Sequence, residues 1–120
     1  MAYVRYLVSD VQKAVEFYRT HLDFTVQQQF PAMAILKRRD LTLWLAGPHA
    51  SASQPMPDGR KPEAGGWNRF VVETDDLAAM VARLKAAGVR FRNEIVSGPG
   101  GQQILAEDPC GNVVELFQPA

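Results

Sequence analysis

The sequence is short of the residues that mark most specialised classes. It has one cysteine, Cys110, so no internal disulfide can form and a reducing cytoplasm is the expected location. Neither sign of charge is in excess: 13 Lys+Arg stand against 13 Asp+Glu, which removes the basic footprint that nucleic-acid binders carry. No apolar run approaches the roughly 18 residues of a membrane span, and the alternating start from Tyr3 to Val8, with Asp10 close behind, lacks the form of a secretory signal. With 120 residues, the chain can build one domain with a real core but not two ordinary ones. These absences leave a small molecule as the expected partner, with neither nucleic acid nor membrane.

What is present is a repeat. Val4, Tyr6 and Val8 alternate with Tyr3, Arg5 and Leu7, the period of a half-buried strand, and Asp10 follows as a helix cap. Val11, Ala14, Val15, Tyr18 and Leu22 then fall on one helical face. Further along, Phe70 and Val72 precede Asp76, and Leu77, Met80, Val81, Leu84 and Ala87 repeat the stripe before Gly88 offers a left-handed stop. In the first copy Asp23 stands at the equivalent exit and also tolerates that conformation. Three strand-like stretches follow each helix: 24–29, 32–37 and 41–46, then 89–96, 102–106 and 112–117. The expected organisation is therefore module one at 1–46, a loop at 47–66 and module two at 67–120, within a single domain. The loop is rich in Gly, Pro, Ser and Ala and is a candidate lid or a slack connector.

Three phrases, set in order in this duplicated frame, carry a resemblance: Val8-Ser9-Asp10-Val11; Glu16-Phe17-Tyr18-Arg19 with Leu22-Asp23-Phe24; and Glu107-Asp108-Pro109-Cys110-Gly111-Asn112-Val113-Val114-Glu115-Leu116. They resemble motifs of the vicinal oxygen chelate superfamily, the glyoxalase, bleomycin-resistance and dioxygenase group. The resemblance implies an α+β fold of two tandem βαβββ modules, whose mixed sheets curl into a cup with the helices outside. It also implies a site on the concave face and pairing as a homodimer. Because members range from lyases to non-catalytic drug-binding proteins, the fold by itself selects no chemistry.

Metal-dependent members hold a divalent cation with His or Gln in the first strand of a module and Glu in the last. Counted back from the helix caps, the first-strand positions here are Tyr3 and Arg69, and the last-strand positions are Leu43 and Glu115. Arginine offers donors and no lone pair, so Arg69 opposes a cation. Glu115 is the one plausible retained ligand, and the expected cofactor is none, with a divalent metal as the alternative. Since the first and last strands of a module should be neighbours, Arg69 is expected to hydrogen-bond Glu115; otherwise Glu115 is a surface carboxylate. His21, in the last helical turn, and His49, in the loop, lie at no ligand position.

Alternation, with Glu115 as the inward reference, turns Val113, Glu115 and Phe117 toward the cup. By repeat equivalence Leu41, Leu43 and Leu45 join them, as do Tyr3, Arg5 and Leu7, with Trp67, Arg69 and Val71 from the second module. Gln103 is added from a strand whose register the repeat does not set. The candidate ligand-binding residues are thus Tyr3, Arg5, Leu43, Trp67, Arg69, Gln103, Glu115 and Phe117. Their make-up suits an organic ligand, though aromatic and leucine stripes also serve plain packing. Arg5 and Arg69 call either for protein acceptors or for an anionic or carbonyl-bearing ligand.

Other features carry less. Ser97-Gly98-Pro99-Gly100-Gly101 suits a hairpin turn better than a phosphate loop, Cys110 has no basic neighbour to activate it, and Arg83, Lys85, Arg90 and Arg92 suit a solvated basic face. The functional expectation is a metal-free binder of a small aromatic or amphipathic molecule. An enzyme using Glu115, whether lyase, isomerase or oxygenase, is the alternative, and a subunit with the cup as its interface is a third reading. No catalytic residue can be named.

Overall fold

Each helix of the chain starts at an aspartate. In the computed structural model, which describes residues 2–120, the Asp10 carboxylate accepts the Lys13 N–H at 3.0 Å and opens α1 (Val11–His21). Asp76 does the same for α2 (Leu77–Ala86) through the Ala79 N–H, also at 3.0 Å. Each cap satisfies an orphaned first-turn donor and sets a negative charge at the positive end of the helix. The exits also follow the sequence: Asp23 takes φ 59° and Gly88 φ 84°, the Gly88 N–H returning to the Lys85 carbonyl at 3.0 Å.

The chain divides into two compact units, one ending at Gly65 and the other running Gly66–Ala120. Both are βαβββ modules. In the first, β1 (Ala2–Leu7), β2 (Thr25–Gln29), β3 (Met33–Arg38) and β4 (Leu41–Ala46) form a mixed sheet in the order β1-β4-β3-β2, with β1 parallel to β4 and the other pairs antiparallel. The helix between β1 and β2 packs on this sheet. Val11, Ala14, Val15 and Tyr18 of α1 are buried along with Ala34, Leu36, Leu43 and Leu45 of the strands, and each fully buried leucine contributes about 1.5–3 kcal/mol.

The second module repeats the plan with β5 (Val71–Glu73), β6 (Arg90–Phe91), β7 (Val96–Gly98), β8 (Gly101–Glu107) and β9 (Val113–Pro119). Its order is β5-β9-β8-β6, with β7 also on β8 and β5 parallel to β9. The Gln118 side-chain oxygen accepts the Leu77 N–H at 2.8 Å, which ties β9 to the start of α2.

Two strands differ from expectation. The stretch 89–96 is broken in two, because the Asn93 side-chain oxygen takes the Leu105 N–H at 2.9 Å where a strand backbone would have taken it. The strand expected from Trp67 begins only at Val71, although the Phe70 carbonyl already accepts the Glu115 N–H at 3.1 Å. In the segment 47–66 one short 3₁₀ turn forms, Ser51–Ser53, and buried Ser53 donates its hydroxyl to the Gly47 carbonyl at 2.6 Å. Among the described residues no helix is long and apolar enough to cross a membrane.

Candidate ligand-binding faces

Each sheet has one face under its helix and one that its helix leaves uncovered, and strand register decides which side chains go where. In the first module Val4 lies beside Leu43 and Tyr6 beside Leu45, while Arg5 lies beside Trp44 and Tyr3 beside Thr42. Side-by-side residues of neighbouring strands point the same way. Tyr6, Leu43 and Leu45 are buried, whereas Tyr3 and Arg5 are exposed. Leu43 therefore does not belong to the uncovered face; it is part of the core under α1, and Leu45 goes with it. Trp44 takes the place expected of Leu43. Its ring meets Tyr3 at 5.3 Å between centroids, tilted by 57°, and the Arg5 guanidinium carbon stands 4.7 Å from its centroid. Ile35, the Trp44 neighbour on β3, shares the face.

In the second module Val71 lies beside Glu115 and Glu73 beside Phe117, with Gln103 opposite Phe117 and Leu105 opposite Glu115. Val72 and Leu116 are buried on the helix side. Glu115, Phe117 and Gln103 thus share the uncovered face with Val71, as the sequence suggested. Arg69, from the extended segment before β5, reaches the Glu115 Oε1 with Nε at 3.0 Å and Nη2 at 2.9 Å, and its Nη1 donates to the Trp67 carbonyl at 3.3 Å. The pair is partly screened from water, with side-chain exposures of 30% for Arg69 and 12% for Glu115.

Arg92 corrects another expectation. Instead of a solvated member of a basic cluster, it is a clasp with a side-chain exposure of 16%. Its Nε donates to Glu107 at 2.8 Å, Nη1 to the Gly66 carbonyl at 2.7 Å and Nη2 to the Gly111 carbonyl at 2.9 Å, while its guanidinium carbon lies 4.5 Å from the Trp67 ring centroid. That single side chain fastens the entry segment of the module to the β8–β9 hairpin. Trp67, with its guanidinium neighbour, is still 67% exposed. Neither Trp44 nor Arg92 was among the residues picked from sequence. The leucine stripe 41/43/45 was itself a signal for Trp44, since leucines at alternate positions fit a core and displace the tryptophan to the other face.

The donor chemistry at the superfamily's ligand positions can be tested module by module. In the first, Tyr3 and Trp44 offer a phenol and an indole. In the second, Glu115 is engaged by a guanidinium. Among the described residues no three His, Cys, Asp or Glu side chains cluster closely enough to hold an ion. At these positions the chain thus offers a single carboxylate, and it is already paired with a guanidinium.

The pairing of Arg69 with Glu115 should be visible in stability. Glu115→Ala strands a partly buried guanidinium and is expected to cost about 1–3 kcal/mol, while the double replacement Arg69→Met with Glu115→Leu should return most of that loss. Urea unfolding of Arg69→Met, Glu115→Leu and the double that combines them gives the coupling energy directly, and a value near zero would mean that the pair contributes nothing.

Two parallel-edged βαβββ modules, with the first and last strands of each side by side, define the vicinal oxygen chelate class. A family model described as Glyoxalase/Bleomycin resistance protein/Dioxygenase superfamily matches residues 1–116, and the chain belongs to that superfamily. Among solved structures it is similar to TnmS3, an antibiotic binding protein from Streptomyces sp. CB03234, with 28% identity, a TM-score of 0.74 and coverage of 98% of this chain and 93% of that one. A superfamily member from Sphaerobacter thermophilus DSM 20745 aligns at 25% identity and TM-score 0.76, covering 98% and 95%. A lactoylglutathione lyase from Agrobacterium tumefaciens, at 21% identity, TM-score 0.76 and coverage of 98% and 92%, shares the fold. No curated protein matches the sequence significantly.

Proposed function

We propose that the chain is a binding protein of the drug-sequestering kind, which holds a small aromatic or amphipathic molecule on the uncovered faces of its sheets without using a metal. The observation that carries this reading is the Arg69 guanidinium seated on Glu115 at 2.9–3.0 Å. A cation there replaces the metal–carboxylate contact of the metal-dependent members with an ion pair. It also occupies one of the two Glu115 carboxylate oxygens, Oε1, and leaves only Oε2 to take a proton in the alternative reading of Glu115 as a general base. Exposed Tyr3 and Trp67 supply flat apolar surface with a polar tip, the side chains that favour organic ligands. TnmS3, an antibiotic binding protein, offers a precedent for small-molecule binding in a protein of similar fold.

The reading takes both modules as one vicinal oxygen chelate domain, places it in the cytoplasm and includes a homodimer, so light scattering is expected to give twice the mass of the chain. Its test is metal analysis of the purified protein followed by a thermal-shift screen. Zn, Ni, Mn and Fe are each expected well below one equivalent after dialysis. Planar aromatic and antibiotic-like compounds are expected to raise the melting temperature in a concentration-dependent way, as any ligand selective for the native state does. A stoichiometric ion that survives dialysis would overturn the metal-free reading.

A further inference from the structure

The arginines of the two uncovered faces have different partners. Arg69 is neutralised by Glu115, and Arg92 by Glu107. Arg5 is exposed, and among the described residues its side chain enters no ion pair and no hydrogen bond. Its contact is the face of Trp44, which uses none of its five N–H donors. The side chain of Lys37, opposite Thr42 and therefore on the same face, also enters no ion pair or hydrogen bond among the described residues. None of the four strands of this sheet contains an aspartate or glutamate. In a chain with no net charge, that is a locally cationic surface paved with an indole and a phenol.

We propose that the uncovered face of the first sheet is a site for a planar aromatic anion, one whose ring lies on Tyr3 and Trp44 while its carboxylate or phenolate oxygen pairs with Arg5. This deepens the binding-protein reading, on which it rests, by naming the ligand class. Stacking on Trp44 restrains the guanidinium before a ligand arrives, which lowers the ordering cost of a bidentate contact. Lys37 adds attraction without geometric demand. The aromatic surface would accept many flat molecules; the unspent cation selects the acidic ones among them.

The experiment compares two probes of one ring, 2-naphthoate and 2-naphthalenemethanol, by titration calorimetry on the full chain, with the Arg5→Gln and Trp44→Leu variants alongside. Naphthoate is expected to bind about tenfold or more tighter than the alcohol, with an advantage that shrinks at high salt. Arg5→Gln should erase the difference while the alcohol binds as before, and Trp44→Leu should weaken both probes. Circular dichroism melting of each variant confirms the fold; Arg5 is exposed and its replacement gives up only the cation–π contact with Trp44, so its melt should fall by no more than a few degrees. Equal affinity for the two probes, or a naphthoate preference that persists in Arg5→Gln, overturns the inference and leaves an aromatic-binding protein standing. Failure of both probes to bind overturns the inference and the reading beneath it.

Discussion

Leu43→Ala should lower the stability of the chain by about 2–5 kcal/mol, whereas Trp44→Ala, one residue further on, should cost about 1–2 kcal/mol and act mainly on ligand affinity. Intuition from side-chain size would rank them the other way. Leu43 is fully buried, beside Val4 on β1 and opposite Leu36 on β3, where truncation opens a cavity that the surrounding Ala34, Leu36 and Leu45 cannot collapse to fill. Trp44 is half-buried on the uncovered face, and its neighbours there are Tyr3 and Arg5, both exposed. Removing the indole sacrifices an aromatic contact and a cation–π contact, each modest beside a core cavity. Urea unfolding of both variants, with the denaturant slope unchanged, reads the two costs on one scale. A larger loss for Trp44→Ala than for Leu43→Ala would mean that β4 is turned over.

Leu43 also shows where the sequence was legible and where it was not. Local signals survived: Asp10 and Asp76 cap the helices, Asp23 and Gly88 end them, and the apolar stripes of both helices are buried except at Ala87, which lies past the last turn of α2 and is exposed. Each of those depends on residues within one or two helical turns. The first strand of each module also kept its face, since Tyr3 and Arg5 in one module and Val71 in the other are counted from the cap that follows them.

The last strands did not, because aligning them meant counting across a turn. In the first module Arg38 pairs with Leu41, so Arg39 and Asp40 alone make the turn; in the second, Glu107 pairs with Val113 and five residues, Asp108 to Asn112, intervene. Setting Leu41, Leu43 and Leu45 equivalent to Val113, Glu115 and Phe117 shifted β4 by one residue against β9, and in a strand a shift of one exchanges every side chain between faces. Glu115 stayed on the correct face because it was the reference; Leu43 did not because it was copied from that reference. Arg92 was illegible for another reason: its acceptors, the carbonyls of Gly66 and Gly111, come from main chain far away in sequence, and no side-chain pattern announces them.

The five-residue turn that upset the alignment is itself organised by one side chain, and Asp108→Ala is expected to cost about 3 kcal/mol. Asp108 is only 4% exposed. Its Oδ1 accepts the N–H of Cys110 and of Asn112, each at 2.9 Å, and its Oδ2 accepts the Asn112 side-chain amide at 3.1 Å. Between them Gly111 sits at φ 90°, a backbone conformation that a glycine adopts freely and other residues adopt at a cost. Alanine removes every acceptor at once and strands donors that the fold has already withdrawn from water, so the penalty is that of unsatisfied buried groups rather than of lost bonds alone. For a domain of this size it corresponds to a fall in melting temperature of roughly 10 °C. Asp108→Asn should recover part of the loss, because its carbonyl oxygen can still take the two backbone N–H groups, but its amide would then face the Asn112 amide, donor against donor. The order wild type, Asn, Ala in a melting series is therefore the expected result, and an alanine variant that melts with the wild type would show that the turn is held by its backbone alone. Glu115 lies three residues beyond Asn112 on the strand that leaves this turn, so loosening the turn should also weaken the Arg69–Glu115 coupling measured by the double-mutant cycle.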